Sequence, residues 1–302
     1  MSGILVALAA LVAVAVLGYV VGRIGVLRPQ DEVVLSRVAF YVATPALMFR
    51  TISTADLGSI FSPILLTSVA GLVVVQAVFV LVARRFWHRP RGEVVLGALA
   101  TSYVNAGNLG IPVGVYVLGD GALIAPILLF QLLVLAPTAF VLLDRGSTGW
   151  AVLRRPLRNP LTVASLLGLA FALTGVRLPE PVTRPIDLVG AAAVPLALLA
   201  YGLSLSGTTR VSGDAETRSV VLVVVLKCFA HPALAYLTGR YALGIDGTML
   251  LAATLFAALP SAQNLYVFAV TYGTAKGLTR SAVLISTLVS IPVMAIVSGL
   301  LA

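Results

Sequence analysis

Two short stretches of the sequence carry polar side chains that can bind a small molecule, although apolar residues surround both. The first is "SYVNAGNLGIPVGVYVLG", residues 102–119, and the second is "FAALPSAQNLYVFAV", residues 256–270. Primary amides both donate and accept hydrogen bonds, so they suit the recognition of a polar substrate group. The candidate substrate-binding residues in these stretches are Asn105, Gly107, Asn108, Gly110, Ser261, Gln263 and Asn264.

Pro112 and Pro260 predict breaks in the helices that carry these residues. A proline has no amide hydrogen for the carbonyl four residues earlier, here that of Asn108 or Phe256. Broken ends expose main-chain N–H groups and carbonyls, and the N-terminus of a half-helix has a partial positive charge that suits an anion. The alternative is that the polar side chains only cap the broken ends.

Four further polar residues fall within apolar stretches, namely Lys227, His231, Gln76 and Gln131. Lys227 and His231 are four residues apart, hence on one helix face. Lys227 can attract an anionic substrate, carry a proton, or neutralise the C-terminal dipoles of broken half-helices, and these alternatives stay open. His231 precedes Pro232, and a packed polar residue is the simpler reading of it. Gln131 is a buried amide whose direction the sequence does not give.

The acidic residues and the rare residue types limit the possible chemistry. All eleven acidic residues lie in or beside predicted loops, which weakens coupling to protons or sodium through a buried carboxylate without excluding sodium bound by carbonyls. One cysteine and two histidines allow no intrachain disulfide and no Cys- or His-rich metal site, and no HExxH, Walker or GxSxG motif occurs. We expect no catalytic residues, no metal and no cofactor, and therefore no enzyme.

The elements that must position these residues are membrane helices. Of the 302 residues, 60% are hydrophobic and only 10% are charged, too few to cover the surface of a soluble domain. Ten apolar runs are long enough to span a bilayer. These predicted spans are 3–22, 34–52, 61–83, 94–118, 121–143, 159–176, 185–206, 219–239, 248–272 and 281–301.

Positive charge in the loops predicts the orientation. Loops after odd-numbered spans hold 15 of the 20 Lys and Arg residues, and loops after even-numbered spans hold four. Cytoplasmic loops are the positive ones, so both termini are predicted to be extracytoplasmic in a multi-pass cell-membrane protein. The net charge of +9 thus reflects topology and anionic-lipid contact and not nucleic-acid binding.

The two halves of the chain resemble each other. "NAGNL" at 105–109 aligns with "SAQNL" at 261–265, an offset of 156, and Pro45 aligns with Pro195 at an offset of 150. Five spans per half put the second copy in the membrane upside down relative to the first. The prediction is an all-α membrane protein with two inverted five-helix repeats, typical of secondary transporters. The repeats are residues 1–143 and 159–302, joined by a short cytoplasmic linker at 144–158.

"YVATPALMF", "NAGNLGIP" and "LPSAQNLYVFA" resemble the auxin efflux carrier family, which includes bacterial members and the plant PIN-FORMED proteins. The resemblance covers essentially the whole chain. It implies a scaffold of spans 1, 2, 6 and 7 and a mobile transport domain of spans 3–5 and 8–10, with spans 4 and 9 broken and crossing at prolines. This arrangement is similar to that of sodium/bile-acid symporters and sodium/proton antiporters. A homodimer through the scaffold is a further expectation.

The resemblance also implies export of small organic anions, such as auxin in plants or malate and malonate in bacteria, by an elevator mechanism. The central loop of about fifteen residues departs from the long regulated segment of the plant carriers, so auxin is not supported as the substrate. One alternative is a proton- or sodium-coupled carrier of another small metabolite, for example an amino acid or a bile-acid-like anion. A channel or an intramembrane enzyme is disfavoured, because paired breaks suggest one central site and no catalytic set occurs.

Overall fold

The computed structural model describes residues 2–54, 62–144, 160–206 and 214–301, and the regular structure within these ranges is helical. The helices are α1 (Ser2–Arg23), α2 (Glu32–Ser53), α3 (Pro63–Phe86), α4 (Arg91–Ala100), α5 (106–118), α6 (Gly121–Leu143), α7 (Pro160–Thr174), α8 (180–206, with a turn at Ala192), α9 (214–242), α10 (Gly247–Ala258), α11 (Asn264–Thr271) and α12 (Lys276–Leu301).

Six of these helical stretches are long and apolar enough to cross a membrane. They are Glu32–Ser53, Pro63–Phe86, Gly121–Leu143, Glu180–Leu203, Glu216–Ala242 and Lys276–Leu301. The all-α membrane class predicted from the sequence is confirmed. The count of ten spans and the inverted repeat stay predictions, and residues 145–158 of the predicted linker lie outside the described ranges.

Polar residues at the turns set the ends of the helices. The side chain of Ser62 accepts a hydrogen bond from the Leu65 amide at the start of α3. Gly119, in the left-handed region at φ 76°, ends α5, and the Asp120 carboxylate caps α6 by accepting from the Ala122 amide at 2.8 Å. These contacts satisfy main-chain groups that a helix end leaves unpaired.

Four of the prolines that lie inside helices follow a turn of π-helix, and the helix continues past each of them. A π turn bonds a carbonyl to the amide five residues later instead of four. The helix can therefore continue although the proline has no amide hydrogen to donate. The four turns are Ala39–Ala43 before Pro45, Ala106–Gly110 before Pro112, Gln131–Leu135 before Pro137 and Leu226–Ala230 before Pro232.

The predicted break at Pro112 is therefore wrong in position. Predicted span 4 divides at residues 101–105, between α4 and α5, and Pro112 lies within α5. The amide of Ile111 bonds the carbonyl of Ala106 and carries the helix past the proline. Pro260 behaves as predicted, because predicted span 9 divides at residues 259–263, between α10 and α11.

Glycines bring α1 and α8 into close contact. A Cβ atom on Gly18 would overlap the carbonyl oxygen of Leu199, and one on Gly202 would overlap that of Ala15. A larger residue at either glycine would hold the two backbones apart. Small residues at such contacts are common where membrane helices pack. In the same way α7 packs along α2, while α9 contacts α3, α10 and α12.

Candidate functional site

The two helix breaks lie against each other and pair as a short antiparallel bridge. The Asn105 amide donates to the Pro260 carbonyl at 2.9 Å, and the Ala262 amide donates to the Tyr103 carbonyl at 3.0 Å. These bonds flank the bridge between Val104 and Ser261. Unwound backbone inside a membrane must find internal partners, and here each break supplies partners for the other.

Buried hydroxyl and amide groups brace this crossing. Ser261 donates its hydroxyl to the Ala100 carbonyl at 2.7 Å, and its amide donates to the Ser286 hydroxyl at 3.1 Å. The side-chain amide of Gln76, on α3, donates to the Ser102 hydroxyl at 2.8 Å. Ser261, expected to bind substrate, is used here to hold the ends of α4 and α10 together.

Asn105 connects the two breaks through its side chain. Its Nδ2 donates to Oε1 of Gln263 at 2.8 Å, and its Oδ1 accepts from the Asn108 amide at 3.4 Å as the cap of α5. Asn105 rather than Asn108 thus caps the first half-helix. The second, α11, begins at Asn264 without a side-chain cap bond from the preceding Gln263.

A cavity of about 210 Å³ lies beside the crossing and collects most of the predicted binding residues. Its walls come from α2, α5, α6, α8 and the two breaks, and the described residues that line it include no charged side chain. The predicted residues that line it are Asn105, Gly107, Asn108, Gln131, Gln263 and Asn264. The half-helices α5 and α11 both begin at this cavity, so their partly positive N-terminal ends lie there.

Two buried amide groups in this cavity have no hydrogen-bond partner among the residues that the structure describes. They are the Nε2 atoms of Gln131 and Gln263, and both residues are only 3% exposed. The Oε1 atom of Gln263 is engaged by Asn105, which leaves its NH₂ group as a donor. A buried donor without a partner costs about 1–3 kcal/mol, and two such donors in one cavity are available to a bound molecule that offers acceptors.

Gly110 does not line the cavity. A Cβ atom there would lie 2.7 Å from Cγ1 of Ile124, so Gly110 allows α5 to pack closely on α6. Pro260 is also outside the set of lining residues and contributes its carbonyl to the bridge, and the main chain of Pro112 belongs to α5 beyond the break.

Lys227 and His231 also lie outside the cavity and connect three helices. The Lys227 amino group donates to the Ala257 carbonyl, in the last turn of α10, at 2.6 Å, and lies 3.3 Å from Nδ1 of His231. Nε2 of His231 is 3.4 Å from the Ser68 carbonyl on α3. Both residues are at most 2% exposed. This geometry favours the alternative in which Lys227 serves the C-terminal end of a half-helix.

A second cavity, of about 200 Å³, lies beyond the Asn105–Gln263 hydrogen bond. Asn105 and Gln263 line both cavities, whereas the rest of the second lining is mostly apolar side chains of α1, α8 and α12, such as Val16 and Leu198. The side-chain bond between the two breaks therefore forms part of the partition between the two spaces.

Comparison with known proteins assigns the chain to a family. The family described as "Membrane transport protein" matches residues 3–149 and 147–298. The rice protein "Auxin efflux carrier component 3a" (Oryza sativa subsp. japonica) is 31% identical over 146 residues, which are 47% of this chain and 23% of the rice protein. The chain belongs to the auxin efflux carrier family. It is a multi-pass membrane transporter for a small molecule and not an enzyme.

Two relatives of this auxin efflux carrier family member match along nearly their whole length. A Rhizobium meliloti (strain 1021) protein named "Putative malonate transporter" is 29% identical over 297 residues, which cover 94% of this chain and 91% of that protein. An "Uncharacterized transporter" from Methanothermobacter thermautotrophicus is 29% identical over 293 residues, with coverages of 93% and 94%.

The sequence did not single out the part of this transporter's cavity that comes from α2. Thr44, Met48 and Thr51 line it, and their spacing of three and four residues puts them on one helix face. That spacing is the available signal, but it is common in membrane helices. Only the packing of α2 against the crossing distinguishes it.

Proposed function

We propose that this transporter exports small organic anions of the carboxylate class, and that it binds them in the cavity at the crossing of the two broken helices. The observation that carries the proposal is the pair of unpartnered amide donors on Gln131 and Gln263. A carboxylate offers two oxygen acceptors and no donor, so it matches a site whose buried spare groups are donors.

The surroundings of the two donors support an anion over a cation. The half-helices α5 and α11 direct their N-terminal ends toward the cavity, and the lining of described residues contains no carboxylate that would attract a cation. Asn108 and Asn264 add amide groups at matching places beside each break. The relative named for malonate transport carries a substrate of the same class in its name.

We further propose ten spans in two inverted repeats, residues 1–143 and 159–302. The α4–α5 and α10–α11 pairs then count as spans 4 and 9. The exchange of main-chain bonds around Val104 and Ser261 supports the repeat, because two like elements related by a two-fold axis pair in this reciprocal way. The structural offset at this bridge is 157 residues, one more than the sequence alignment suggests.

The contacts between helices support a scaffold of α1, α2, α7 and α8 and a transport unit of α3–α6 and α9–α12. Within the first group α1 packs along α8 and α2 along α7, and within the second α9 packs on α3, α10 and α12. The cavity lies between the groups, since α2 and α8 line one side and α5 and α6 the other. Sliding of the transport unit against the scaffold would move the site across the membrane, which is an elevator mechanism.

Counterflow into proteoliposomes tests the proposal. Proteoliposomes that contain the purified transporter and are loaded with unlabelled malonate are expected to take up labelled malonate or a labelled small monocarboxylate. Exchange of this kind requires no ion gradient, so the experiment does not depend on knowing which ion is coupled. Labelled amines and neutral amides of the same size serve as matched solutes. Exchange of an amine or an amide without exchange of any carboxylate would overturn the assignment of substrate class.

A further inference from the structure

A groove on the transport unit lies apart from the crossing, at the membrane-surface ends of three helices. It has a volume of about 200 Å³ and lies between α3, α4 and α6. Arg84, in the last turn of α3, and Arg91, the first residue of α4, both line it. Under the proposed orientation this end faces the cytoplasm.

The two arginines are free to bind an anion. Both are exposed, and neither has a hydrogen-bond or ion-pair partner among the described residues. The nearby acid, Glu93, lies 3.8 Å from Arg89 instead. The segment 84–91 holds four arginines and no acid, so the mouth of the groove has a strong positive potential.

The walls of the groove are apolar and open toward lipid. Val80, Val94 and Leu135 line it, and Leu142, also in the lining, is 43% exposed. Gln76 lies two helical turns deeper than Arg84 along α3, a rise of about 12 Å. A groove of this length, with arginines at one end and apolar walls along the rest, fits a molecule with an anionic head group and a hydrocarbon chain.

We infer that this groove binds an anionic phospholipid. The phosphate lies between the Arg84 and Arg91 guanidinium groups, which suit bidentate recognition of phosphate oxygens. An acyl chain lies along the apolar wall toward Gln76. Gln76 donates to Ser102, which is within the first helix break, so the bound lipid supports the helix that braces the crossing.

Lipid binding to the purified full-length protein tests the inference. Titration with dioleoylphosphatidylglycerol, followed by native mass spectrometry, gives an apparent Kd for wild type and for Arg84→Gln/Arg91→Gln. Loss of both charges is expected to weaken binding about 30-fold, since each arginine near an anionic surface contributes about fivefold and the two contributions multiply. Arg85→Gln is the matched control, because Arg85 is exposed next to Arg84 but does not line the groove.

A second variant tests the apolar wall without changing charge. Thr138 is exposed and lines the groove, so Thr138→Trp is expected to narrow it and weaken phosphatidylglycerol binding while both arginines remain.

Equal binding of dioleoylphosphatidylcholine by wild type would overturn the inference. So would equal losses in Arg85→Gln and in the double variant, or full competition by glycerol phosphate, which has the head group without chains. None of these outcomes bears on carboxylate counterflow.

Discussion

The cavity at the crossing combines uncharged amide groups with apolar side chains, and the fold itself does not use every one of these amides. Within the described part of the chain Gln131 has no partner for its Nε2, whereas Gln76 donates its Nε2 to the Ser102 hydroxyl at 2.8 Å. The two glutamines have the same side chain, but the protein supplies a partner for the amide of Gln76 and, among the described residues, none for the Nε2 of Gln131. An amide that the fold leaves unsatisfied is the one available for a substrate.

Gln131→Leu is expected to separate binding from folding. Removal of an unsatisfied buried donor leaves the melting temperature unchanged or raises it, while the half-saturation concentration for carboxylate counterflow rises by about one to two decades. Gln76→Leu is the control and is expected to lower the melting temperature, because Ser102 loses its donor. Equal stability losses in both variants, with normal transport by Gln131→Leu, would show that Gln131 only packs.

Lys227 donates to a carbonyl in the last turn of α10, so we expect it to stabilise the fold and not to contact the substrate. Lys227→Met removes the donor to the Ala257 carbonyl and leaves that buried acceptor unpaired, at a cost of about 1–3 kcal/mol. We expect a melting temperature lower by several degrees, at about 2–4 °C per kcal/mol, with a near-normal half-saturation concentration in the folded fraction. Thermal unfolding in detergent and counterflow measure the two quantities.

Lys227→Arg distinguishes the remaining alternative of a proton carrier. Arginine keeps a donor but does not release a proton in proteins. Transport retained by Lys227→Arg excludes proton transfer through this residue. A variant with wild-type stability and no transport contradicts the structural role.

At the scale of helices, a proline does not by itself produce a break. Proline is absorbed by a π turn in α2, α5, α6 and α9, whereas the helices divide where a second segment offers main-chain partners. Tyr103 and Asn105 find theirs on Ala262 and Pro260. Pairing between distant segments, and not the proline alone, decides where the backbone unwinds.

A disulfide across the bridge tests this pairing. Val104 and Ser261 occupy the non-hydrogen-bonded position of an antiparallel pair, where Cα atoms are about 4.5 Å apart, within disulfide reach. In a Cys228→Ala background, Val104→Cys/Ser261→Cys is expected to cross-link. After cleavage at a protease site placed within 145–158, the halves should stay joined on a non-reducing gel.

Single cysteine variants control for non-specific joining, since Val104→Cys alone and Ser261→Cys alone should release separate halves. If the double variant also releases separate halves under oxidising conditions, the two breaks are not paired in the membrane.

At the scale of the whole molecule, two cavities meet at one hydrogen bond. The polar cavity and the apolar cavity share Asn105 and Gln263, so the crossing is both the proposed binding site and part of the barrier between the two spaces. The helix pairs α1–α8 and α2–α7 pack through close backbone contacts, which suits a rigid unit against which the other helices move.

The orientation of the molecule is testable by labelling. In a Cys228→Ala background, Asp120→Cys is expected to react with a membrane-impermeant maleimide in intact cells, and His88→Cys only after permeabilisation, since lysine and arginine concentrate on the His88 side. Both residues are exposed. Labelling of His88→Cys in intact cells would reverse the proposed topology.

The sequence by itself determined the class of the protein, the family and the polar cluster of the site. Long apolar runs with few charges require a membrane protein. The amides in 102–119 and 256–270 are conspicuous because the surrounding residues are apolar. Six of the predicted binding residues line the cavity. The class and the polar cluster follow from local composition and the family from the resemblance of short motifs, so the sequence is sufficient for all three.

Only the tertiary structure decided which polar groups serve the fold and which remain available. Ser261, Gly110 and Lys227 are used by partners elsewhere in the chain, at Ala100, Ile124 and Ala257 respectively, and Thr44 and Thr51 enter the cavity from α2. Ser261 and Ala100 are 161 positions apart in sequence. No local sequence pattern predicts contacts between residues so far apart in the chain, because these contacts result from the packing of whole helices against one another. That packing decides which buried polar groups are left without partners.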